Sequence, residues 1–212
     1  AVLQAEAGSE ERIAEAAAAA AVGGELSEGS AVPSEKAVQV PEEEWDRILA
    51  IAAHSYSILG RVDLDAALLR EADAFANRAL SEWEGLMAKA LPGPKARQCG
   101  LYCLHQAGGL AFRWGRIAEA GMLFGRQVGI ARALESEMRT PAARRDLSVS
   151  LDNVAGVLKA QGDLPGALER YEESLKIARA LESEMRTPEA RRDLSVSLDN
   201  VAGVLKAQGD LP

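Results

Sequence analysis

The sequence predicts an all-α chain in which helical hairpins stack into a solenoid, and three observations carry that expectation. The first is an internal repeat. Residues 130–165 and 177–212 stand 47 positions apart and agree at 35 of 36 places, the exception being Ala142 against Glu189. The second is composition: 48% of the residues are hydrophobic but only 4% are aromatic, so the core has to be built from Leu, Val and Ala on closely packed helices. The third is punctuation. Gly and Pro fall at a few turn points, and long β-branched runs are missing.

From the N-terminus, residues 1–42 read as an acidic, Ala-rich helix followed by a flexible linker. Residues 9–22, SEERIAEAAAAAAV, combine high helix propensity with Ser9 as an N-cap and with Glu10 and Glu11 at the positive end of the dipole. Residues 23–41 mix Gly, Ser, Pro and Glu. Residues 43–93 read as a degenerate hairpin, with a turn at Leu59-Gly60 and a second helix over 66–80. Residues 94–140 read as a diverged repeat unit: Leu104, Gly109, Gly115, Ala120 and Phe124 fall opposite Leu151, Gly156, Gly162, Ala167 and Tyr171.

Residues 141–187 form the clearest unit. Thr140-Pro141 starts its first helix, because Thr caps free amides and Pro needs no N–H in the first turn. Leu147, Leu151, Val154, Ala155 and Leu158 then make one apolar stripe. Gly162 suits a left-handed C-terminal position, Asp163 caps the next helix, and Pro165 lies in its first turn. The second helix presents Leu164, Ala167, Leu168, Tyr171, Leu175, Ala178 and Leu181 on one side. Each helix has a single apolar face, which one hairpin cannot bury fully. Units must therefore stack, and stacking creates a concave groove. Residues 188–212 supply only the first helix of a further unit, with the stripe Leu194, Leu198, Val201 and Leu205 awaiting a partner. We expect a fragment of a longer array, or self-association through this unpaired helix. The missing initiator Met points to a processed chain or fragment as well.

The stretch LDNVAGVLKAQGD (151–163), followed by Ala167, Tyr171 and Leu175, resembles the tetratricopeptide repeat. Ala155, Gly162, Ala167 and Tyr171 fit that pattern, while Ser174 and Leu158 depart from it. The long unit is similar to the extended repeats of kinesin light chains and their bacterial relatives. The resemblance implies a right-handed superhelix, a protein–protein interaction scaffold and no enzyme activity, with a partner peptide or helix held by the first helices of successive units. Its groove-facing positions are Tyr102, His105, Gln106, Gly109 and Phe112 in the diverged unit. They are Val149, Asp152, Asn153, Gly156 and Lys159 in the next, and Val196, Asp199, Asn200, Gly203 and Lys206 in the last. Asn153 and Asn200 are candidates to clamp a peptide backbone, since an amide donates and accepts; alternatively they meet local polar needs. The mid-helix column Gly109, Gly156 and Gly203 is read as room for tight packing, with room for a partner's side chain or a duplicated glycine as the alternatives.

The search for chemistry excludes more than it finds. There is no GxxxxGK[ST], GxGxxG or HExxH, and His54 and His105 are the sole histidines. Cys99 and Cys103 share a helix face, but His105 lies about 200° round from Cys103, so one helix cannot aim all three at one metal. They are read as core or groove cysteines, and no cofactor or metal is expected. Paired carboxylates such as Glu172-Glu173 sit among bases as a solvated face. Residues 1–46 carry eleven acids and two bases, which leaves the repeats nearly neutral and without a nucleic-acid footprint. No run approaches a membrane span. With no secretory signal and only two cysteines, a cytoplasmic setting is expected. High Ala and Arg lean towards a bacterial source. A second functional expectation is that the repeats are the sensory or autoinhibitory arm of a larger protease or signalling ATPase.

Overall fold

The computed structural model describes residues 39–61, 63–89 and 93–209. The expected leader helix at 9–22 lies outside them. The described residues form seven α-helices and no strand: α1 (Glu42–Leu59), α2 (Ala66–Met87), α3 (Pro94–Arg113), α4 (Ile117–Met138), α5 (Pro141–Gln161), α6 (Leu164–Met185) and α7 (Pro188–Gln208). Each helix packs on the one before and the one after, as in an all-α repeat solenoid, and α1 also reaches α3. The second helix of the first pair runs beyond the expected 66–80 to Met87. Its extra turns carry Trp83, which is buried and donates its indole N–H to the Ala96 carbonyl at 2.8 Å.

Local chemistry sets most boundaries. Asp65 accepts from the amides of Ala67 and Leu68, both at 2.8 Å, and starts α2. Thr140 and Thr187 accept from Ala143 and Ala190 at 3.2 Å and start α5 and α7, with Pro next in sequence. Asp163 accepts from the Gly166 amide at 2.9 Å and starts α6. At the C-terminal ends, Gly162 and Gly209 take left-handed φ values of 86° and 85°. Arg139 and Arg186 close α4 and α6 with φ of 50° and 53°, a conformation that costs a side-chain-bearing residue about 1–2 kcal/mol. Nothing in the Arg side chain signalled that role.

The core is a chain of apolar layers. Trp45, Ile48, Trp83, Leu104, Leu110 and Phe124 dominate the first, filled in by fully buried alanines at 72, 76, 79 and 111. Leu101, Ala131, Leu134, Leu147 and Leu151 form the second, and Ala155, Ala167, Tyr171 and Val204 the third. Cys99 and Cys103 are fully buried in the first layer, and the Cys99 thiol lies 3.8 Å from the Trp45 carbonyl. The hydrogen bond with the Cys99 thiol and then burial push the Cys103 thiol up, as suits a core cysteine. A repeated surface ion pair staples the hairpins: Arg97 meets Glu137, and 47 residues on Arg144 meets Glu184 at 2.6 Å. Such exposed pairs contribute little, about 0.2–1 kcal/mol.

Tight packing falls on glycines other than the predicted column. A Cβ at Gly109 would meet nothing within 4 Å, and one at Gly156 only the Tyr171 hydroxyl at 3.8 Å. The packing explanation for that column is therefore wrong, because no neighbouring side chain comes close enough there to exclude a Cβ. The close approaches are at Gly100, where a Cβ would strike the Trp83 ring, and at Gly108, where it would come within 2.6 Å of Phe124. Each glycine makes the seat for a large aromatic of a neighbouring helix.

Two comparisons test this packing by urea unfolding followed by circular dichroism. Gly108→Ala should destabilise by about 1–3 kcal/mol, whereas Gly109→Ala should stabilise by about 0.5–1 kcal/mol; like effects at both would contradict the geometry. Leu151 and Leu198 are the same residue in two near-identical repeats, but Leu151 is 0% exposed and Leu198 is 44% exposed. Leu151→Ala should cost about 2–5 kcal/mol and Leu198→Ala under about 1 kcal/mol.

Candidate functional site

The first helices α1, α3 and α5, together with Gln127 of α4, border an open hollow of about 530 Å³. Its wall consists of Tyr56 from α1, Gln98, Leu101, Tyr102, His105 and Gln106 from α3, Gln127 from α4, and Arg145, Asp146 and Val149 from α5. Four of the predicted groove residues thus converge on one hollow: Tyr102, His105, Gln106 and Val149. The others do not line it. Phe112 is partly exposed at the far end of α3, and Asp152, Asn153, Gly156 and Lys159 continue down α5. Val196, Asp199, Asn200, Gly203 and Lys206 lie on α7, where Val196, Asp199 and Lys206 are exposed. A Cβ on Gly203 would come 3.4 Å from the Lys159 ammonium nitrogen, so the Lys159 side chain reaches across to α7 there.

Helical periodicity explains the convergence. Positions 98, 101, 102 and 105 are spaced three or four apart, and so are 145/146 and 149, giving one stripe on each helix facing the hollow. Tyr56, Gln98, Gln127, Arg145 and Asp146 were not singled out from the sequence. Arg145-Asp146 recurs as Arg192-Asp193, so a signal was present, but a charged pair early in a helix looks like solvated surface. Gln127 comes from a second helix, and nothing in the sequence shows that it reaches the groove.

A polar lattice forms the floor. The Asn153 amide donates to His105 Nδ1 and to Gln127 Oε1, both at 3.1 Å. Burial lowers the His105 pKa and keeps the ring neutral, as an acceptor nitrogen requires. Both Asn153 donors are spent inside the chain, which leaves its carbonyl for a peptide. The physical reason is the register of α5 on α3, which brings Asn153 opposite His105.

One repeat later the lattice is replaced by a carboxylate. The places of His105 and Gln127 are taken by Asp152 and Ser174. Asp152 Oδ1 is buried without a hydrogen-bond partner among the described residues. Ser174 instead exchanges hydrogen bonds with Ser148, at 2.8 Å between the hydroxyls. Burial pushes the Asp152 carboxyl up to about 6, the charge of Asp193 adds to the rise, and the Ser174 hydroxyl opposes it. Burial also raises Asp146, with Arg145 pulling the other way. Burial raises Tyr102 as well. No group of three or more His, Cys, Asp or Glu among the described residues is arranged to hold a metal ion. None of the described helices is long and apolar enough to cross a membrane.

No family model matches the chain, and no curated protein matches it. Among solved structures it is similar to the "DHF79 filament", with a TM-score of 0.44 and 16% identity over 79% of this chain and 89% of that one.

Asp152 makes stability depend on pH in a definite direction. Its folded pKa lies above the unfolded value, so the folded state holds this proton more tightly. The contribution is full below about pH 4 and is lost as pH rises through about 6. Asp152→Asn should therefore melt above the parent protein at pH 7.5, with the gap closing towards pH 4. Melting temperatures that differ equally at both pH values would show that the carboxyl is solvated instead.

Proposed function

We propose that this chain is a protein–protein interaction scaffold of tetratricopeptide type, which grips an extended or helical segment of a partner protein in the groove of α1, α3 and α5. The observation that carries the reading is the convergence of Tyr102, His105, Gln106 and Val149 on one cavity of about 530 Å³. Val149 is 40% exposed and Tyr56 is 61% exposed beside it, so apolar and aromatic surface is presented together with fixed amides. This mixture favours binding over catalysis: the wall offers shape and hydrogen bonds, and its one imidazole is already engaged with Asn153. The floor lattice contributes by holding His105, Gln127 and Asn153 still, so a partner would meet a surface whose side chains are already ordered.

A second contact surface in this reading is α7, where Val196 and Leu198 are exposed, and through it the chain would pair with a further helix or with a copy of itself. The buried thiols of Cys99 and Cys103 fit a reducing, cytoplasmic setting.

Capture of partner proteins by the parent chain, by Val149→Glu and by Glu172→Lys on α6 tests the groove. A protein held by the parent and by Glu172→Lys should bind Val149→Glu at least about tenfold more weakly. Equal capture by all three would move the contact off the groove.

A further inference from the structure

We infer that the cavity between α3 and α5 receives the guanidinium of an arginine side chain carried by the partner protein. This deepens the groove reading and rests on it. The repeat supplies the argument, because it displays the same position twice with different neighbours.

In the later unit the position is complete within the chain. Arg145 on α5 reaches Asp193 on α7, with Nε 2.6 Å from Oδ2 and Nη2 3.3 Å from Oδ1. One unit earlier the same two places are held by Gln98 and Asp146. The carboxylate is kept, but a glutamine stands where the arginine would be. The Gln98 amide is turned to the Met138 sulfur at 3.9 Å. Asp146 has no ion-pair partner among the described residues, and Gln98 and Asp146 both line the cavity. The cavity therefore lies at the place where the next repeat seats a guanidinium.

The rest of the wall suits that group. Arg145 also lines the cavity, but its guanidinium is engaged by Asp193, which leaves Asp146 as the acid of the lining without an ion-pair partner among the described residues. Asp146 is exposed on the rim of the hollow, so an incoming cation can reach it directly. Gln106 provides an independent observation. It is 4% exposed, lines the cavity and makes no hydrogen bond to any described residue, so its amide carbonyl is open to a donor. A guanidinium has five N–H groups in a planar fork, enough to engage the Asp146 carboxylate at two points as Arg145 engages Asp193. The rings of Tyr56 and Tyr102 add faces on which a planar cation stacks. Lysine, a point charge on a flexible stem, would match neither the two-point geometry seen at Asp193 nor the stacking.

A random twelve-residue peptide library displayed on phage, panned against the purified chain, tests this. The selected peptides should share an arginine, and replacing it by citrulline, which has the same shape without the charge, should weaken binding about tenfold or more. Asp146→Asn should cause a similar loss. Gln98→Arg should also abolish binding, because it supplies the missing guanidinium from within, as Arg145 does for Asp193. Circular dichroism should show parent-like helicity for both variants; Asp146, exposed and without a side-chain bond, can change without harm to the fold. Peptides that lack arginine, that accept lysine equally, or that ignore Asp146→Asn would overturn the inference. If those peptides were still lost with Val149→Glu, the groove reading would survive it. A panning that returns no peptide would sink both.

Discussion

The structure depends on the one-sidedness of its helices. Each carries a single apolar stripe, and a hairpin leaves part of both stripes in water. Burial becomes complete only when a third helix arrives, as when Leu147 and Leu151 of α5 meet Ala131 and Leu134 of α4 and Ile177 of α6. At roughly 25 cal/mol for each Å² of apolar surface removed from water, this three-helix junction is what makes stacking favourable. The alanine-rich composition follows. Small side chains let helices approach closely, and at Gly100 and Gly108 even a methyl group is excluded so that Trp83 and Phe124 can seat.

Each helix packs on its neighbours in sequence and α1 also reaches α3, and the hollow between α1, α3 and α5 results from that packing. Its polar residues then face a choice between neighbours and solvent. In the α3–α5 part they found neighbours: Asn153 satisfies His105 and Gln127 together. In the α5–α7 part the homologous positions hold Asp152 and Ser174, and a buried carboxylate oxygen is left unmatched. The two halves of the groove are thus chemically distinct although the repeats that build them are closely related. Divergence at a few positions gives one half a neutral lattice around a cavity and the other an internal Arg145–Asp193 pair.

Much of the fold was legible in the sequence because its signals are local. The Thr140-Pro141 start, the Gly162 stop and the Asp163 cap are decided within a few residues of themselves, and the 47-residue period fixes how the hairpins recur. The site was legible only in part. Helical spacing on α3 and α5 sets Tyr102, His105, Gln106 and Val149, four positions taken from the repeat resemblance, on the wall of one hollow. It could not show that Asn153 is already engaged, since that depends on the register between helices 48 residues apart in sequence. It also passed over Asp146, because an acid beside an arginine reads as ordinary solvated surface.

The sequence by itself determined that this is a repeat of amphipathic helices, where the Thr140, Gly162 and Asp163 signals begin and end them, and which face of each is apolar. Tertiary structure alone decided which identical residues are buried. Leu151 and Leu198 share their sequence surroundings, but one sits at a three-helix junction and the other on an open face. It likewise decided which glycines are indispensable and which acid lacks a partner. The physical reason is the same in each case: period and propensity act along the chain, whereas burial, desolvation and ion pairing depend on what the next helix brings across the gap.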